Sequence, residues 1–383
     1  MEIMIVAGEP SGDLHASHVV NALKTQHSEI SFYGMGGDMM EAAGVTLNIH
    51  IRDSAVMGIA EAIAVLPKFL KKRALLKEHI REKPPDTLIL IDFAEFNMPL
   101  AKYANSQGVP VIYYIPPKAW AWRPGRAKKL AKYANHIASI FPFETEFYRN
   151  AGASAQFVGH PLVDFAKTDL TPTQAREKLG LQTDTHAIGL MPGSRRSEIQ
   201  RILPTIFKAA ANISTALPNT EWILPLAPGI SDDLINQCKN GIEGIPKIKI
   251  IQGDNYIAMR AATLMLVTSG TATLETACLG TPMIILYRTS WLNWQIINAL
   301  TPLEHSGLPN LIAGKRIVPE LLQDDLTPDT LTNHTIDLLS NPEKLEEQRT
   351  SLNKVYKQLG EPGTAERTAQ LVLELATSAH NSE

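Results

Sequence analysis

Cysteine is scarce in this chain. Its 383 residues include two cysteines, Cys238 and Cys278, which form no spaced motif, so neither a disulfide framework nor a zinc site is predicted. Apolar runs are also short, and none approaches the roughly 20 residues of a transmembrane helix. The first residues reach Gly8 without a basic segment, which predicts a first strand rather than a signal peptide and favours a cytoplasmic location.

Several signatures of common chemistry are absent as well. The formal net charge of −3 argues against a general nucleic-acid partner. HExxH, DxD and GxSxG motifs do not occur, and the scattered histidines lack the spacing of paired metal ligands. Among the 11 histidines of the chain, we considered His15, His18, His160 and His305 in particular as ligands. We therefore expect neither a metal site nor a hydrolase nucleophile.

Length and periodicity predict the architecture. A chain of 383 residues exceeds one ordinary core, so two domains are expected. Short apolar runs alternate with amphipathic stretches, and this alternation begins again near residue 187, which predicts an α/β protein with two Rossmann-like, doubly wound domains. The predicted domains are 1–165 and 186–340, with the polar stretch Leu162–Asp184 as linker. Helices in 341–383 are expected to pack back on the first domain or on a partner subunit.

The predicted strands fall into two series. They are Ile3–Ala7, Ser31–Gly34, Thr87–Asp92, Val109–Tyr114, His136–Phe141 and Ala155–Val158, then Ala187–Met191, Glu221–Pro225, Ile248–Gln252, Leu264–Thr268 and Met283–Tyr287.

The segment 267–275 is the most informative motif. It combines a buried strand, a turn of small residues and a helix start. Backbone N–H groups at such a helix start bind phosphate, assisted by the helix dipole. Thr271 and Glu275 share a helix face, which places Glu275 to reach a ribose hydroxyl. We predict a nucleotide diphosphate here, with Ser269, Gly270, Thr271 and Ala272 forming the phosphate turn.

A second anion site is predicted at Gly193, Ser194 and Arg195. A strand precedes this turn, and a helix start rich in serine and arginine follows it. Backbone amides and a guanidinium together suit an anion. The alternative is an ordinary capped helix with solvated arginines, but the presence of the other turn in the same domain favours a ligand site.

Two carboxylates follow a predicted strand of the first domain. Asp92 and Glu95 lie at its carboxyl end, where ligands bind in doubly wound sheets. A carboxylate there can act as a general base by accepting a proton from a hydroxyl nucleophile. The structural alternative is that Asp92 caps the next helix while Glu95 is solvated.

The first turn of the chain, residues 7–13, lies at the same predicted sheet edge. It contains Glu9 and Ser11 but does not match the GxGxxG pattern of dinucleotide-binding folds. Either the turn contacts a ligand, or it is a tight turn capped by Ser11 or Asp13.

The loop 119–126 carries two tryptophans and two arginines. Tryptophan can cover a sugar face, and arginine can bind phosphate bidentately. We interpret Trp122, Arg123 and Arg126 as ligand-binding residues; the alternative is that the tryptophans are buried and the arginines lie on the surface.

A basic and apolar stretch lies inside a predicted helix. Lys68, Phe69, Lys71, Lys72 and Arg73 resemble the face of an amphipathic helix that lies on anionic lipid. A solvated basic face on a core-packed helix is the alternative.

Ordered motifs give the chain a specific resemblance to one family. In chain order they are Gly8-Glu9-Pro10-Ser11-Gly12-Asp13, Ala55-Val56-Met57-Gly58, Trp120-Ala121-Trp122-Arg123, Pro142-Phe143-Glu144, Val158-Gly159-His160-Pro161, Pro192-Gly193-Ser194-Arg195, Ser269-Gly270-Thr271-Ala272 with Glu275, and Leu308-Pro309-Asn310-Leu311. Together they resemble the lipid A disaccharide synthases, which are inverting glycosyltransferases with the B-type fold.

This resemblance implies a reaction of lipid A and lipopolysaccharide biosynthesis in Gram-negative bacteria. UDP-2,3-diacylglucosamine would be joined by a β-1,6 linkage to 2,3-diacylglucosamine 1-phosphate (lipid X), with inversion and release of UDP. Asn310 would be an active-site residue, Glu275 would hold the ribose, and Glu9 and Ser11 would join the 122–126 loop in binding the acceptor. No metal or other cofactor would be needed.

The acylated substrates further imply a peripheral enzyme on the cytoplasmic face of the inner membrane. The C-terminal helices allow either a monomer or a C-terminally exchanged homodimer.

The acidic motif departs from the family pattern, which is usually Asp-x-Pro-Asp-Phe-Asn. Residues 92–97 read Asp-Phe-Ala-Glu-Phe-Asn, so Glu95 stands where a shorter Asp is expected. The extra methylene shifts the carboxylate, and catalysis is sensitive to such placement. We assign the base to Glu95, with Asp92 as the alternative.

Three other functions remain compatible with parts of the sequence. A B-type UDP-sugar transferase or epimerase acting on water-soluble sugars would share the fold and the UDP turn. A non-catalytic nucleotide-binding regulator would bind UDP without turnover, which leaves the carboxylates near residue 92 unexplained. A lipid-surface scaffold would need neither phosphate turn.

Overall fold

The computed structural model describes residues 1–54, 59–227, 229–291, 293–295 and 304–380. The motif Ala55-Val56-Met57-Gly58 lies outside the described residues. The chain divides into two compact units: Met1–Pro161 with Leu359–Glu383, and Leu162–Gln358. Within the described residues, no helix is both long and apolar enough to cross a membrane.

The described part of the first unit contains a seven-stranded parallel sheet in the order β3-β2-β1-β4-β5-β6-β7. All five residues of β4 are buried, as expected for a parallel strand covered by helices on both faces. The strands are β1 (Glu2–Ala7), β2 (Ser31–Gly36), β3 (Thr46–His50), β4 (Thr87–Ile91), β5 (Val111–Tyr114), β6 (His136–Ser139) and β7 (Ala155–Phe157). The order reverses between β1 and β4, so ligands are expected at the carboxyl ends of these two strands.

Helices connect these strands. They are α1 (Pro10–Gln26), α2 (Asp38–Ala42), α3 (Ile59–Glu82), α4 (Ala94–Ser106), α5 (Gly125–Tyr133) and α6 (Pro142–Asn150).

The described part of the second unit contains a six-stranded parallel sheet in the order β10-β9-β8-β11-β12-β13. Its strands are β8 (His186–Met191), β9 (Thr220–Pro225), β10 (Ile248–Ile251), β11 (Leu264–Thr268), β12 (Met283–Tyr287) and β13 (Glu320–Leu322). Its helices are α7 (Leu162–Phe165), α8 (Pro172–Leu179), α9 (Arg196–Ala216), α10 (Asp232–Lys239), α11 (Asn255–Ala261), α12 (Thr271–Cys278), α13 (Leu308–Ala313), α14 (Pro328–Leu339) and α15 (Pro342–Gln358).

The last helix, α16 (Thr364–His380), belongs to the first unit, where it packs on α1. Arg367 Nε donates to the carbonyl oxygen of Val158 over 2.8 Å, which fixes the start of the helix. The preceding helix α15 packs on α12 and α13 of the second unit instead. The two predicted C-terminal helices therefore belong to different units, and only α16 packs back on the first.

Three segments differ from the sequence prediction. Strands β3 and β13 were not predicted, and the predicted linker 162–184 forms α7 and α8 of the second unit. Thr171 caps α8, with Gln174 completing a reciprocal capping box. Arg176 then donates to the carbonyl oxygens of Thr185 and Ala261 over 2.9 Å each. These bonds hold a segment of polar composition on the surface of the second unit.

Candidate functional site

The two predicted phosphate turns of the second unit lie side by side. Strands β8 and β11 are paired, with Met191 opposite Val267, so both turns leave the same sheet edge. A cavity of about 370 Å³ lies between the turns. Its lining includes every residue predicted to bind the nucleotide: Gly193, Ser194, Arg195, Ser269, Gly270, Thr271, Ala272 and Glu275.

Two residues that line the cavity have a buried polar atom without a hydrogen-bond partner in the described part of the chain. The hydroxyl of Thr268 and the side-chain carbonyl of Asn255 are buried, line this cavity and have no hydrogen-bond partner among the described residues. Buried polar groups in folded proteins are nearly always paired. Thr268 and Asn255 are therefore further candidates for contact with a polar ligand. Thr268 ends the strand of the 267–275 motif, and Asn255 begins α11; neither was predicted to contact the ligand.

A tight turn brings Arg195 to the cavity. Glu198 Oε1 accepts from Arg195 Nη1 over 2.9 Å, and its other oxygen accepts from the Arg195 backbone N–H over 3.3 Å. Gly193 adopts φ +114°, and a Cβ there would lie 2.6 Å from Glu198 Oε2. Glycine is therefore required at position 193 on both conformational and steric grounds.

Glu275 lies one turn into α12. Burial raises the pKa of its carboxyl, and the hydroxyl of Tyr256, which donates to Glu275 Oε1 over 3.4 Å, partly offsets that effect. Glu275 and Asn255 also line an adjoining cavity of about 430 Å³ that contains Lys167 and Tyr256. The two cavities together offer space for a nucleoside beside its phosphates.

In the first unit, the chain makes a strained turn after β4. Asp92 and Phe93 adopt φ +46° and +47°, the left-handed region that non-glycine residues seldom occupy. The carbonyl oxygen of Asp92 accepts from the Tyr113 hydroxyl over 2.6 Å and from Asn97 Nδ2 over 2.9 Å. Burial raises the pKa of the Asp92 carboxyl, while the charge of Lys118 opposes this shift. Such strain persists only where surrounding contacts enforce it, and it concentrates at active sites.

The side chain of Phe93 fixes the same turn. Its ring stacks on Phe96 with centroids 5.4 Å apart, and it contacts Phe69 of α3 at 5.5 Å. A Cβ on Gly8 would lie 2.1 Å from this ring. The glycine of the first turn is therefore needed for the close packing of Phe93 beside Asp92.

Glu95 is in a different environment. Its side chain is 72% exposed, and one carboxylate oxygen accepts from both Arg123 and Arg126. The two guanidinium carbons lie 4.2 and 5.2 Å from the centre of the Trp122 ring. The predicted acceptor residues of the 119–126 loop are thus brought together around Glu95.

The first turn supplies two exposed polar residues. Glu9 and Ser11 stand at the end of β1, whose last residue is paired with Ile91 at the end of β4. Neither Ser11 nor Asp13 caps α1, contrary to the structural alternative. The Asp13 carboxylate accepts from the backbone N–H of Gly37 over 2.7 Å and so fixes the start of α2. Glu9 and Ser11 thus lie at the same sheet edge as the strained turn at Asp92 and Phe93.

A family model of lipid-A-disaccharide synthetase matches residues 3–375. The chain belongs to this family. The lipid-A-disaccharide synthase of Trichlorobacter lovleyi is 41% identical over 377 residues, and that of Geobacter metallireducens is 40% identical over 375; each match covers 97% of both chains. The resemblance inferred from the ordered motifs is therefore confirmed, and the chain is a glycosyltransferase of lipid A synthesis.

The solved structure of Acinetobacter baumannii MurG superposes with a TM-score of 0.60 over 97% of this chain and 99% of its own, at 14% identity. At this identity the likeness concerns the fold alone. It confirms the predicted pair of Rossmann-like domains of the B-type glycosyltransferase fold.

Asn310, the family's expected active-site residue, lies outside the cavity lining. It is fully buried, and its amide oxygen accepts from the backbone N–H groups of Ile317 and Val318 over 2.7 and 3.0 Å. Its amide nitrogen donates to Glu320 Oε1 over 2.7 Å. Glu320 also accepts from the backbone N–H of Ser306, whose carbonyl oxygen accepts from the Ser269 hydroxyl over 3.0 Å. Asn310 is thereby linked through Glu320 and Ser306 to Ser269 of the predicted phosphate turn, and its active-site role stays a prediction.

The basic stretch of α3 presents two faces. Lys68 and Lys71 are exposed, and Leu70 beside them is 48% exposed. Phe69 packs inward on Phe93, so its predicted membrane contact does not agree with the structure. Lys72 and Arg73 are only partly exposed.

One group of potential metal ligands occurs among the described residues of the first unit. Asp38, Glu41 and His50 have ligand atoms within 4.8 Å of one another. However, Arg52 Nη2 already donates to Asp38 Oδ1 over 2.5 Å, and this guanidinium lowers the pKa of the carboxyl. The ion pair accounts for the group without a metal.

Trp120 and Glu144 anchor the 119–126 loop. Glu144 is 1% exposed, accepts from Trp120 Nε1 over 3.0 Å, and has its pKa raised to about 8 by burial. Trp120 therefore has a supporting role, whereas Trp122 is 38% exposed.

This buried carboxyl gives a pH-dependent stability. The pKa of Glu144 is about 8 in the folded protein against 4.5 for the free group. The protonated carboxyl therefore contributes fully to the free energy of unfolding below pH 4.5, and this contribution is lost as pH rises to about 8. Each unit of pKa difference corresponds to about 1.4 kcal/mol. We expect Glu144→Gln to remove this loss. The free energy of unfolding of the variant should therefore increase relative to that of the wild type as pH rises from 5 to 8.5. Urea unfolding at several pH values measures the difference; a constant difference across that range would contradict a shifted pKa.

Proposed function

We propose that this enzyme transfers the diacylglucosaminyl group of UDP-2,3-diacylglucosamine to the 6-hydroxyl of lipid X. The products are the β-1,6-linked tetraacyl disaccharide 1-phosphate and UDP. The observation that carries this proposal is the cavity of the second unit, where two phosphate-binding turns and Glu275 meet, in a member of the lipid-A-disaccharide synthetase family.

Asp92 is the better candidate for the base. The carboxylate of Glu95 is exposed and already paired with two guanidiniums, which compete with a substrate hydroxyl for the same carboxylate oxygen. Asp92 is partly buried, and this burial raises the pKa of its carboxyl above the ordinary value, which makes it a stronger proton acceptor than a typical aspartate. We therefore assign the base to Asp92 rather than to Glu95.

The proposed step is a single displacement. Asp92 accepts the proton of the acceptor's 6-hydroxyl while that oxygen forms a bond to the anomeric carbon from the face opposite UDP. The bond between the anomeric carbon and the diphosphate oxygen breaks, and its electron pair leaves with UDP. Attack from the opposite face accounts for inversion.

The second unit stabilises the leaving group. Negative charge grows on the diphosphate as it departs, next to the N-terminal end of α12 and the Arg195 guanidinium. Glu275 accepts hydrogen bonds from the ribose hydroxyls. These groups supply the charge stabilisation that a divalent metal provides in other transferases, so we propose a metal-independent reaction.

A direct assay tests this function. Purified protein is incubated in detergent with lipid X and either UDP-2,3-diacylglucosamine or UDP-N-acetylglucosamine, in each case with excess EDTA, and products are identified by mass spectrometry. We expect the tetraacyl disaccharide 1-phosphate and UDP from the first donor alone. Turnover of UDP-N-acetylglucosamine instead would point to an enzyme of soluble sugars, whereas UDP binding without any product would favour a regulator.

We also propose that the enzyme binds the membrane peripherally through α3, on the cytoplasmic face of the inner membrane. Lys68 and Lys71 attract anionic lipid, while Leu70 and Leu75, both exposed, enter the interface.

Charge reversal at the two exposed lysines tests the membrane contact. Lys68→Glu with Lys71→Glu is expected to lower the partition coefficient on phosphatidylglycerol vesicles at least tenfold, since each basic residue contributes about 1 kcal/mol near an anionic surface. Sedimentation with vesicles measures it. Lys128→Glu with Lys132→Glu on α5 is the matched control; equal losses in the two variants would show that α3 has no special role.

A further inference from the structure

We propose that Glu95 is an internal counter-ion that occupies the binding site for the acceptor's phosphate and is displaced when lipid X binds. This inference rests on the proposed function, because it concerns how the acceptor is recognised. It gives Glu95 a part in substrate specificity in place of the catalytic role predicted from sequence.

The first observation is the convergence of two guanidiniums on one oxygen. Arg123 Nη1 lies 3.3 Å from Glu95 Oε1, and Arg126 Nη2 donates to the same atom. Arginines arranged around one anionic oxygen also suit a phosphate monoester, which offers three such oxygens. The Glu95 carboxylate thus stands where a phosphate oxygen is expected.

The second observation is that the arginines are held in place independently of Glu95. Both guanidiniums lie over the Trp122 ring, at 4.2 and 5.2 Å from its centre, within the range of cation–π attraction. The Arg126 side chain is only 15% exposed, so its charge needs an anionic partner in every state of the enzyme. Glu95 supplies that partner when no substrate is bound.

The third observation is that Glu95 itself can leave at little cost. Its side chain is 72% exposed, and exposed ion pairs contribute roughly 0.2–1 kcal/mol. The carboxylate balances one of the two arginine charges, whereas a phosphate monoester with a charge near −2 balances both. Exchange of Glu95 for the substrate phosphate is therefore favourable.

This exchange makes acceptor binding selective. A sugar that lacks the 1-phosphate has no group to replace Glu95, and it leaves the arginines paired with the protein. Specificity then depends on competition with an internal anion as well as on attraction to the correct substrate.

Substitution of Glu95 tests the proposal, because a counter-ion and a base predict opposite results. In Glu95→Gln the competing charge is gone, so we expect the KM for lipid X to fall about two- to fivefold and kcat/KM to rise accordingly. Arg126→Gln is expected to raise the KM for lipid X at least tenfold while changing that for 2,3-diacylglucosamine, which has no phosphate, less than threefold. The matched control is Glu346→Gln, which removes the same charge from an exposed ion pair with Arg349.

A second measurement tests this proposal independently of the proposed overall reaction. Trp122 lies directly under the arginines, so its fluorescence reports titration with glucosamine 1-phosphate, a soluble probe. We expect tighter binding by Glu95→Gln than by the wild type, even if the disaccharide assay fails. A loss of kcat of a hundredfold or more in Glu95→Gln would identify Glu95 as the base and overturn the proposal. Unaltered KM and unaltered probe affinity would overturn it equally.

Discussion

Asp92→Asn is expected to lower kcat by about 10²–10⁴-fold, which is the usual contribution of a general base. The substitution removes the proton acceptor but keeps the shape of the side chain. Asparagine also tolerates the left-handed region better than most residues, so the backbone at φ +46° is retained. The loss is therefore chemical rather than conformational. Radiolabelled or mass-spectrometric product formation under single-turnover conditions measures it.

The wild-type pH profile offers an independent check on Asp92. Burial raises the pKa of its carboxyl, so the acidic limb of kcat/KM should lie at higher pH than an exposed aspartate would give. UDP affinity of Asp92→Asn serves as the control, because the nucleotide cavity belongs to the second unit. Retention of wild-type kcat in this variant would exclude Asp92 and leave the base unassigned.

The residues predicted to bind the nucleotide line one cavity, and they could be grouped from the sequence because their signals are local. A buried strand, a turn of small residues and a helix start are contiguous in 267–275, and the physics of a helix N-terminus depends on little else. Pairing of β8 with β11 then follows from the doubly wound order, which brings Arg195 to the same cavity. Thr268 was predicted only as the end of the strand and Asn255 carries no distinctive pattern, so what marks them is a buried polar atom without a partner among the described residues.

The acceptor side was harder to predict because its roles depend on tertiary contacts. Asp92 and Glu95 are three residues apart and chemically alike, yet Asp92 is partly buried with a raised pKa and Glu95 is exposed beside two arginines. Phe69 illustrates the same limit, since its contact with Phe93 joins segments that are distant in sequence. No pattern of spacing distinguishes such environments.

The short strands β3 and β13 were missed for a related reason. Thr46–His50 alternates polar and apolar residues over only five positions, and Glu320–Leu322 is three residues long. Edge strands of this length acquire their structure from pairing with a neighbouring strand. Asn310 shows the consequence for the site, because its amide donates to Glu320, which is the first residue of β13.

Glu275→Gln is expected to weaken UDP binding about 100-fold. A buried carboxylate that accepts from two ribose hydroxyls makes charge-assisted bonds worth roughly 1.5–3 kcal/mol each, and the amide retains only part of that energy. Calorimetric titration with UDP measures the loss. The same titration with 2′,3′-dideoxy-UDP is the control: if Glu275 acts through the ribose, wild type and variant should bind this analogue almost equally.

Stability distinguishes a lost contact from a damaged fold. The folded pKa of Glu275 is raised by burial, so its ionisation destabilises the ligand-free protein as pH rises above the ordinary value of 4.5. Glu275→Gln removes that cost, and its melting temperature without ligand at pH 8 should equal or exceed that of the wild type. Weaker UDP binding with an undiminished melting temperature would show that the Glu275 carboxylate serves binding and not folding. A lower melting temperature with unchanged UDP affinity would assign Glu275 a structural role.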